Sequence, residues 1–291
     1  MRFQVALAAH ATIGESATWI ADENALYWID VKAPALHRLH LQDGATRSWT
    51  LGSDVGAFCL TGEGGAVVAL RQGVFHLDLG SGEQRLLAPP PFDPALFRFN
   101  EGGVDPAGRF WVGVMFDPLQ PGPARRAGRL HSFTLKHGLR AEDDTAVLHN
   151  GMAWSADGRA MFLSHSYERT IFRFAFDPET SRLGAREVFA RVGEDDGIPD
   201  GAAIDTEGGY WSALHGAGRL RRLRPDGSFD RDFELPVSQP TMPAFAGPEL
   251  ESLYLTSAAQ KVALGQEPAA GDLLRAESPW RGLPRRARLA A

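Results

Sequence analysis

Six segments of the chain repeat one design. They begin at Glu15 (ESATWIADENALYWID), Gly56 (GAFCLTGEGGAVVALR), Asn100 (NEGGVDPAGRFWVGVM), Asn150 (NGMAWSADGRAMFLSH), Asp200 (DGAAIDTEGGYWSALH) and Met242 (MPAFAGPELESLYLTS). Each reads as a small or apolar strand, a turn rich in Asp, Glu and Gly, and an aromatic or β-branched strand, which is the pattern of a hairpin. The starts lie 41 to 50 residues apart, the length of a propeller blade. Between the hairpins run further alternating stretches such as ALHRLHL from Ala35, GVFHLDL from Gly73, RLHSFTL from Arg129 and TIFRFAF from Thr170. Four strands in each of six repeats specify an all-β fold, a six-bladed β-propeller with four antiparallel strands per blade, with residues 1–291 as one domain. The last repeat is one strand short. The N-terminal FQVALAA can supply that strand, closing the ring and covering an edge that would otherwise be exposed.

Composition agrees with this reading and narrows the partners. The 32 glycines and 19 prolines fall in clusters between short apolar runs, which favours many turns over long helices. Net charge is −6 and the basic residues are scattered, so no nucleic-acid footprint is present. A single cysteine, Cys59, excludes an intrachain disulfide and fits a reducing compartment, so a cytoplasmic location is expected. No apolar run approaches the ~18 residues of a membrane span, and Gln4 and His10 interrupt the N-terminal apolar run where an export signal would be continuous. The expected state is a monomer or weak homo-oligomer acting on a small molecule, with neither nucleic acid nor membrane as partner.

In a propeller the innermost strand of each blade lines the central channel, so the first residue of every repeat faces one axis. That axis would carry Glu15, Gly56, Asn100, Asn150, Asp200 and Met242. Fifteen residues later, a second ring would hold Asp30, Arg71, Met115, His165, His215 and Ser257, with Arg98 on a loop rimming the mouth. Oxygen donors converging from separate blades suit a hard or borderline divalent cation: Ca²⁺, Mg²⁺, Mn²⁺ or Zn²⁺. A channel lined by polar side chains and water alone is the competing reading. Three or four protein donors leave positions open for water and substrate, the arrangement of a catalytic metal site. Asp200 is then placed to take a proton from attacking water. Arg98 and Asn100 offer directional donors to a polar substrate. His165 and His215 stand beside Asn150 and Asp200 as substrate contacts or as channel filling. No nucleophile elbow, His-Glu-x-x-His helix or phosphate loop competes.

The motifs GES (14–16), RFNEGGVDPAGRFWVGVM (98–115), NGMAWSADGR (150–159), PDGAAIDTEGGYWSAL (199–214) and GPELESLYLTSA (247–258) resemble the senescence marker protein/gluconolactonase family, the regucalcin-like sugar lactonases. The resemblance implies that Glu15, Asn150 and Asp200 hold one divalent metal ion, with Ca²⁺ and Zn²⁺ as familiar occupants, and that Asp200 is the general base. It places Arg98 and Asn100 at the substrate, and Glu101, Asp117, His165 and His215 are counted as further candidate substrate contacts beside them. Asp117 matches the family's acidic position only loosely, and His165 stands where an Asp is common. The implied activity is metal-dependent hydrolysis of a sugar aldonolactone, of gluconolactone or pentonolactone type, to the aldonic acid. The alternatives are a calcium-binding or ligand-sensing propeller without turnover and an esterase of the paraoxonase type.

Overall fold

A computed structural model describes residues 1–62, 64–263 and 265–290; Ala291, the last residue of the expected domain, lies outside them. Among the described residues, 24 strands form six four-stranded antiparallel sheets, and helix is confined to two single turns, Ala21–Glu23 and Ser166–Glu168. The six sheets are the blades. Blade 1 runs from its inner strand Gly14–Ile20 through Ala25–Asp30 and Ala35–His40 to Thr46–Thr50. The inner strands of blades 2 to 5 are Val55–Leu60, Phe97–Val104, His149–Trp154 and Ile198–Ile204. Blade 6 holds Pro240–Ala246, Ser252–Ser257 and Leu273–Glu277, and its outermost strand is the N-terminal Gln4–Leu7, as the incomplete last repeat predicts.

Each blade is too thin to bury a core of its own, so apolar side chains of both its faces pack against neighbouring blades. Six buried clusters result, one at each interface. Between blades 1 and 2, for example, Tyr27, Ile29 and Leu36 meet Phe58 and Val68. The recurring Asp and Trp of the hairpins are joined: the indole N–H of Trp111 donates to Asp105 and that of Trp211 to Asp205, both at 2.8 Å. The same carboxylates accept turn N–H groups from Arg109 and Gly209, so one acid ties each turn to its strand.

After the last strand, residues 278–290 cross the end of the channel that carries the hairpin turns. Leu283 donates to Ile204 of blade 5, Gly282 to Leu250 of blade 6, Leu289 to Leu60 of blade 2 and Ala290 to Gly108 of blade 3. Arg288 reaches Asp22 and Glu23 of blade 1. This strap closes one side of an apolar cavity of about 810 Å³ and inserts Arg285 toward the axis.

Ring closure depends on the N-terminal strand staying docked, and Phe3 is its anchor: buried at 8% exposure among Trp211, Phe245 and Leu253. Phe3→Ala is expected to cost about 3 kcal/mol, which at roughly 2–3 °C per kcal/mol lowers the Tm by about 6–9 °C. Calorimetry checks this; an unchanged Tm would show that the ring closes without that strand.

Candidate functional site

Every inner strand departs from regular pairing where the repeat begins. The register shifts fall between Glu15 and Thr18, Val55 and Ala57, Asn100 and Gly102, Asn150 and Ala153, Pro199 and Ala202, and Pro240 and Pro243. A bulge re-aims side chains and breaks strict alternation. Here it allows the polar residues Glu15, Asn100, Glu101, Asn150 and Asp200 all to be buried beside the axis, at 2 to 9% exposure. Ser16 and Gly151 take left-handed φ values of 57° and 60°. A Cβ on Gly151 would lie 2.3 Å from the hydroxyls of Ser164 and Tyr210, and one on Gly56 would lie 2.3 Å from the Phe99 backbone. At these two positions the close approach of strands requires glycine.

The amides are locked in a chain. Arg98 donates to Asn100 Oδ1 at 2.7 Å, Asn100 Nδ2 to Asn150 Oδ1 at 2.5 Å and to His149 O at 2.9 Å, and Asn150 Nδ2 to Ser166 Oγ at 3.0 Å. Ser166 in turn donates to Pro199 O, beside Asp200. Asn150 therefore presents its oxygen, not its nitrogen, toward Asn100. Glu15 and Asp200 lie close enough to act on each other's charge, and burial, then neighbouring carboxylates, drives both upward: Glu15 to about 8, Asp200 well above the usual range. Two adjacent buried carboxyls can ionise together only with a cation between them. Glu15, Asp200 and the Asn150 oxygen thus fit a hard divalent ion by donor chemistry and by the charge it would neutralise.

The two oxygens of Glu101 accept the N–H groups of Gly151 at 2.7 Å and Met152 at 2.8 Å, and it is 2% exposed. These bonds tie Glu101 to the bulge of blade 4. Burial raises its carboxyl to about 7. His165 is buried with its Nε2 2.7 Å from Asp144 Oδ2, a residue of blade 3. The expected second ring forms only in part: Arg71 and Met115 both meet the Arg98 side of the mouth, Met115 directly and Arg71 through Asp117, whereas Asp30 and Ser257 have local partners. Asp30 accepts the N–H groups of Thr12, Ile13, Lys32 and Ala33, and Ser257 donates to Asp272 O. His215 ends its strand with no hydrogen bond to the axial cluster among the described residues; burial, then the Lys261 charge, lowers its pKa. Arg98 lies on the inner strand of blade 3, not on a loop.

Asp117 sits at the mouth within an ionic network. It meets Lys32 at 2.7 Å, Arg71 at 2.7 Å and Arg98 at 3.0 Å, and Asp54 pairs with Lys32 and Arg71. Three cations thus face two carboxylates, and the network joins the axial cluster through Arg98. Hairpin alignment did not single out Lys32 or Asp54, which lie between repeats. Nor did it find Arg285, which comes from the tail, donates to Gly102 O at 2.7 Å and places its charge near Glu101 and Glu15. The Arg281–Arg288 basic run was the available signal.

Residues 13–259 match the family described as the SMP-30/Gluconolactonase/LRE-like region, and the chain belongs to that family. It is 37% identical over 248 residues to 6-deoxy-6-sulfogluconolactonase of Pseudomonas putida, spanning 85% of this chain and 84% of that protein. It is 31% identical over 247 residues to the pentonolactonase XacC of Haloferax volcanii, spanning 84% and 81%. The solved structure of a calcium-binding protein, regucalcin, from Agrobacterium tumefaciens superposes with a TM-score of 0.89 at 25% identity, covering 100% of this chain and 97% of that one.

Raised carboxyl pKa values make a signed prediction for chelator-treated protein. Glu15 and Glu101 hold protons in the fold that the unfolded chain releases near 4.5, so their stabilisation is full below that pH and is lost as pH rises through about 7 and 8. The histidines that burial depresses, His37, His131 and His215, are still half protonated in the unfolded chain at about pH 6.5 and oppose the trend until about pH 7.5, above which they are largely neutral in both states. The Tm should fall between about pH 7.5 and 8.5, and Glu15→Gln should flatten the slope. A Tm that rises or stays level across that interval would contradict the assignment.

Proposed function

We propose that this chain, as a member of that family, hydrolyses a sugar aldonolactone to its aldonic acid with one divalent cation held by Glu15, Asn150 and Asp200. The observation that carries the reading is the pair of adjacent buried carboxyls, Glu15 and Asp200, contiguous through Asn150 with the Arg98–Asn100 donor pair. A cation in that place would polarise the lactone carbonyl and acidify a water molecule. Asp200 would accept the proton that a water molecule loses as its oxygen bonds to the lactone carbonyl carbon. The ring C–O bond then breaks, the former ring oxygen leaves as a hydroxyl after taking a proton back, and the product is the open acid. Arg98 and Asn100 would orient the substrate hydroxyls by exchanging a present partner, since both Asn100 N–H groups are already donated to Asn150 Oδ1 and His149 O; their mutual hydrogen bond fixes the geometry before binding. Ca²⁺ suits the all-oxygen donor set; Zn²⁺ is accommodated by the same three ligands, and Mg²⁺ or Mn²⁺ by fewer protein contacts and more water.

Both lactonase relatives act, by name, on sugar lactones, and one of those lactones carries a sulfonate. Lys32, Arg71 and Arg98 against Asp54 and Asp117 leave one positive charge at the mouth, which favours a lactone bearing an anionic substituent over a neutral one. The polar donor pair also argues for turnover of a hydroxylated substrate over the apolar lactones of a paraoxonase-type esterase.

Ring opening followed by proton release, with chelated and reloaded protein, tests the activity. Reloaded protein should exceed the spontaneous rate. Asp200→Asn should lower kcat by about 10²–10⁴, while Arg98→Lys should act mainly on KM, by about tenfold. No gain over buffer with glucono-, pentono- or sulfo-substituted lactones under any divalent metal would overturn the proposal and leave a binding protein.

A further inference from the structure

We propose that Asp144, His149 and His165 form a second metal site, a buried Zn²⁺ centre that pins blade 4 to blade 3 independently of the axial cluster. Asp144 lies on the outer strand of blade 3, Gly138–Ala146, whereas His149 opens the inner strand of blade 4 and His165 ends the next strand, Ala160–His165. Sequence repeats do not bring these three together; the blade interface does.

Their donor atoms converge. One ligand atom from each lies within 4.8 Å of the others, with Asp144 Oδ2 at 2.7 Å from His165 Nε2 and 3.3 Å from His149 Nε2. Zinc bonds of about 2.0–2.2 Å to N and O place neighbouring donors roughly 3.0–3.5 Å apart, so the set needs only small adjustment to enclose an ion. The surrounding groups orient each ligand as outer partners of zinc ligands do. His149 Nδ1 lies 3.1 Å from Val114 O, His165 Nδ1 lies 3.4 Å from Glu168 Oε1, and Asp144 Oδ1 accepts from Arg186 at 2.9 Å. His149 and Asp144 are thereby held on their far atoms, whereas His165 Nδ1 has no hydrogen-bond partner and only the Glu168 carboxylate nearby; Nε2, Nε2 and Oδ2 are left to face one another. His149 is fully buried, and its Nε2 has no hydrogen-bond partner.

Two imidazoles and one carboxylate, without thiolate, select a borderline transition metal over calcium. Glu168 supplies a second negative charge beside His165. The Phe172 ring packs against His165 with centroids 4.7 Å apart, and half-exposed Arg186 stacks over Phe172 at 4.5 Å. Because His149 precedes Asn150 and its carbonyl accepts from Asn100, an ion here would fix the start of the strand that presents Asn150.

The test is zinc stoichiometry on the full chain after chelation, equilibrium dialysis against Zn²⁺ and elemental analysis. Wild-type protein should bind two equivalents, and the Glu15→Gln/Asp200→Asn variant one, at micromolar free zinc or below. Adding His165→Asn or, separately, Asp144→Asn should remove that remaining equivalent, with the fold followed by circular dichroism. Co²⁺ loaded into the Glu15→Gln/Asp200→Asn variant should give visible d–d bands, a readout that needs no change at the new site. A single zinc equivalent in wild type, no zinc and no cobalt bands in the folded axial variant, or zinc retained after both His165→Asn and Asp144→Asn would each overturn the proposal.

Discussion

Three carboxyl groups, Glu15, Glu101 and Asp200, are brought from blades 1, 3 and 5 into a region from which most water is excluded. Like charges in low dielectric repel by several kcal/mol even at an effective dielectric near 20, so an unassisted cluster must stay protonated, gain a cation, or spread apart. The fold answers differently for each acid. Glu101 is compensated by two backbone N–H groups and by the Arg285 charge. Glu15 has one backbone N–H, its neighbour Ser16 at 2.9 Å, and Asp200 has the Glu15 carboxyl itself. The two acids with the least protein compensation are thus the two that a metal would take, and Asn150 is oriented to add a neutral oxygen.

The six bulges make this concentration attainable. In a regular strand, Asn100 and Glu101 would point to opposite faces, and only one could approach the axis. The shift between Asn100 and Gly102 lets both be buried there, one bonded to Asn150 and the other to the bulge of the next blade. That the shift recurs in all six inner strands makes it a property of the ring, with glycine retained where neighbouring strands come closest.

This division also explains what the sequence discloses. Hairpin periodicity exposes the number of blades, their order and the missing strand, because each blade repeats the same local alternation. Taking the first residue of each repeat as axial brings out Glu15, Asn100, Asn150 and Asp200, since register along an inner strand is conserved by closure of the ring. The same counting holds only in part at the other end of the hairpin. Asp30 and His165 hold equivalent positions in different blades, yet one caps a turn and the other meets an acid from the neighbouring blade, and these choices depend on inter-blade contacts that no single repeat encodes. Bulges leave no alternation signal of their own, so the role of Glu101 was hidden. Arg285 lies outside the repeats altogether, and its contribution follows from the path of the strap across five blades.

Catalysis as proposed requires Glu15, Asn150 and Asp200 to converge on a single cation. Crystals grown with Mn²⁺, with diffraction recorded at the manganese absorption edge, measure that directly. The account predicts an anomalous peak on the channel axis within about 2.0–2.4 Å of one oxygen from each of the three residues. An axis without a peak in crystals that contain Mn²⁺, or a peak bonded to Glu101 and Arg98 neighbours but not to Glu15 and Asp200, would contradict it.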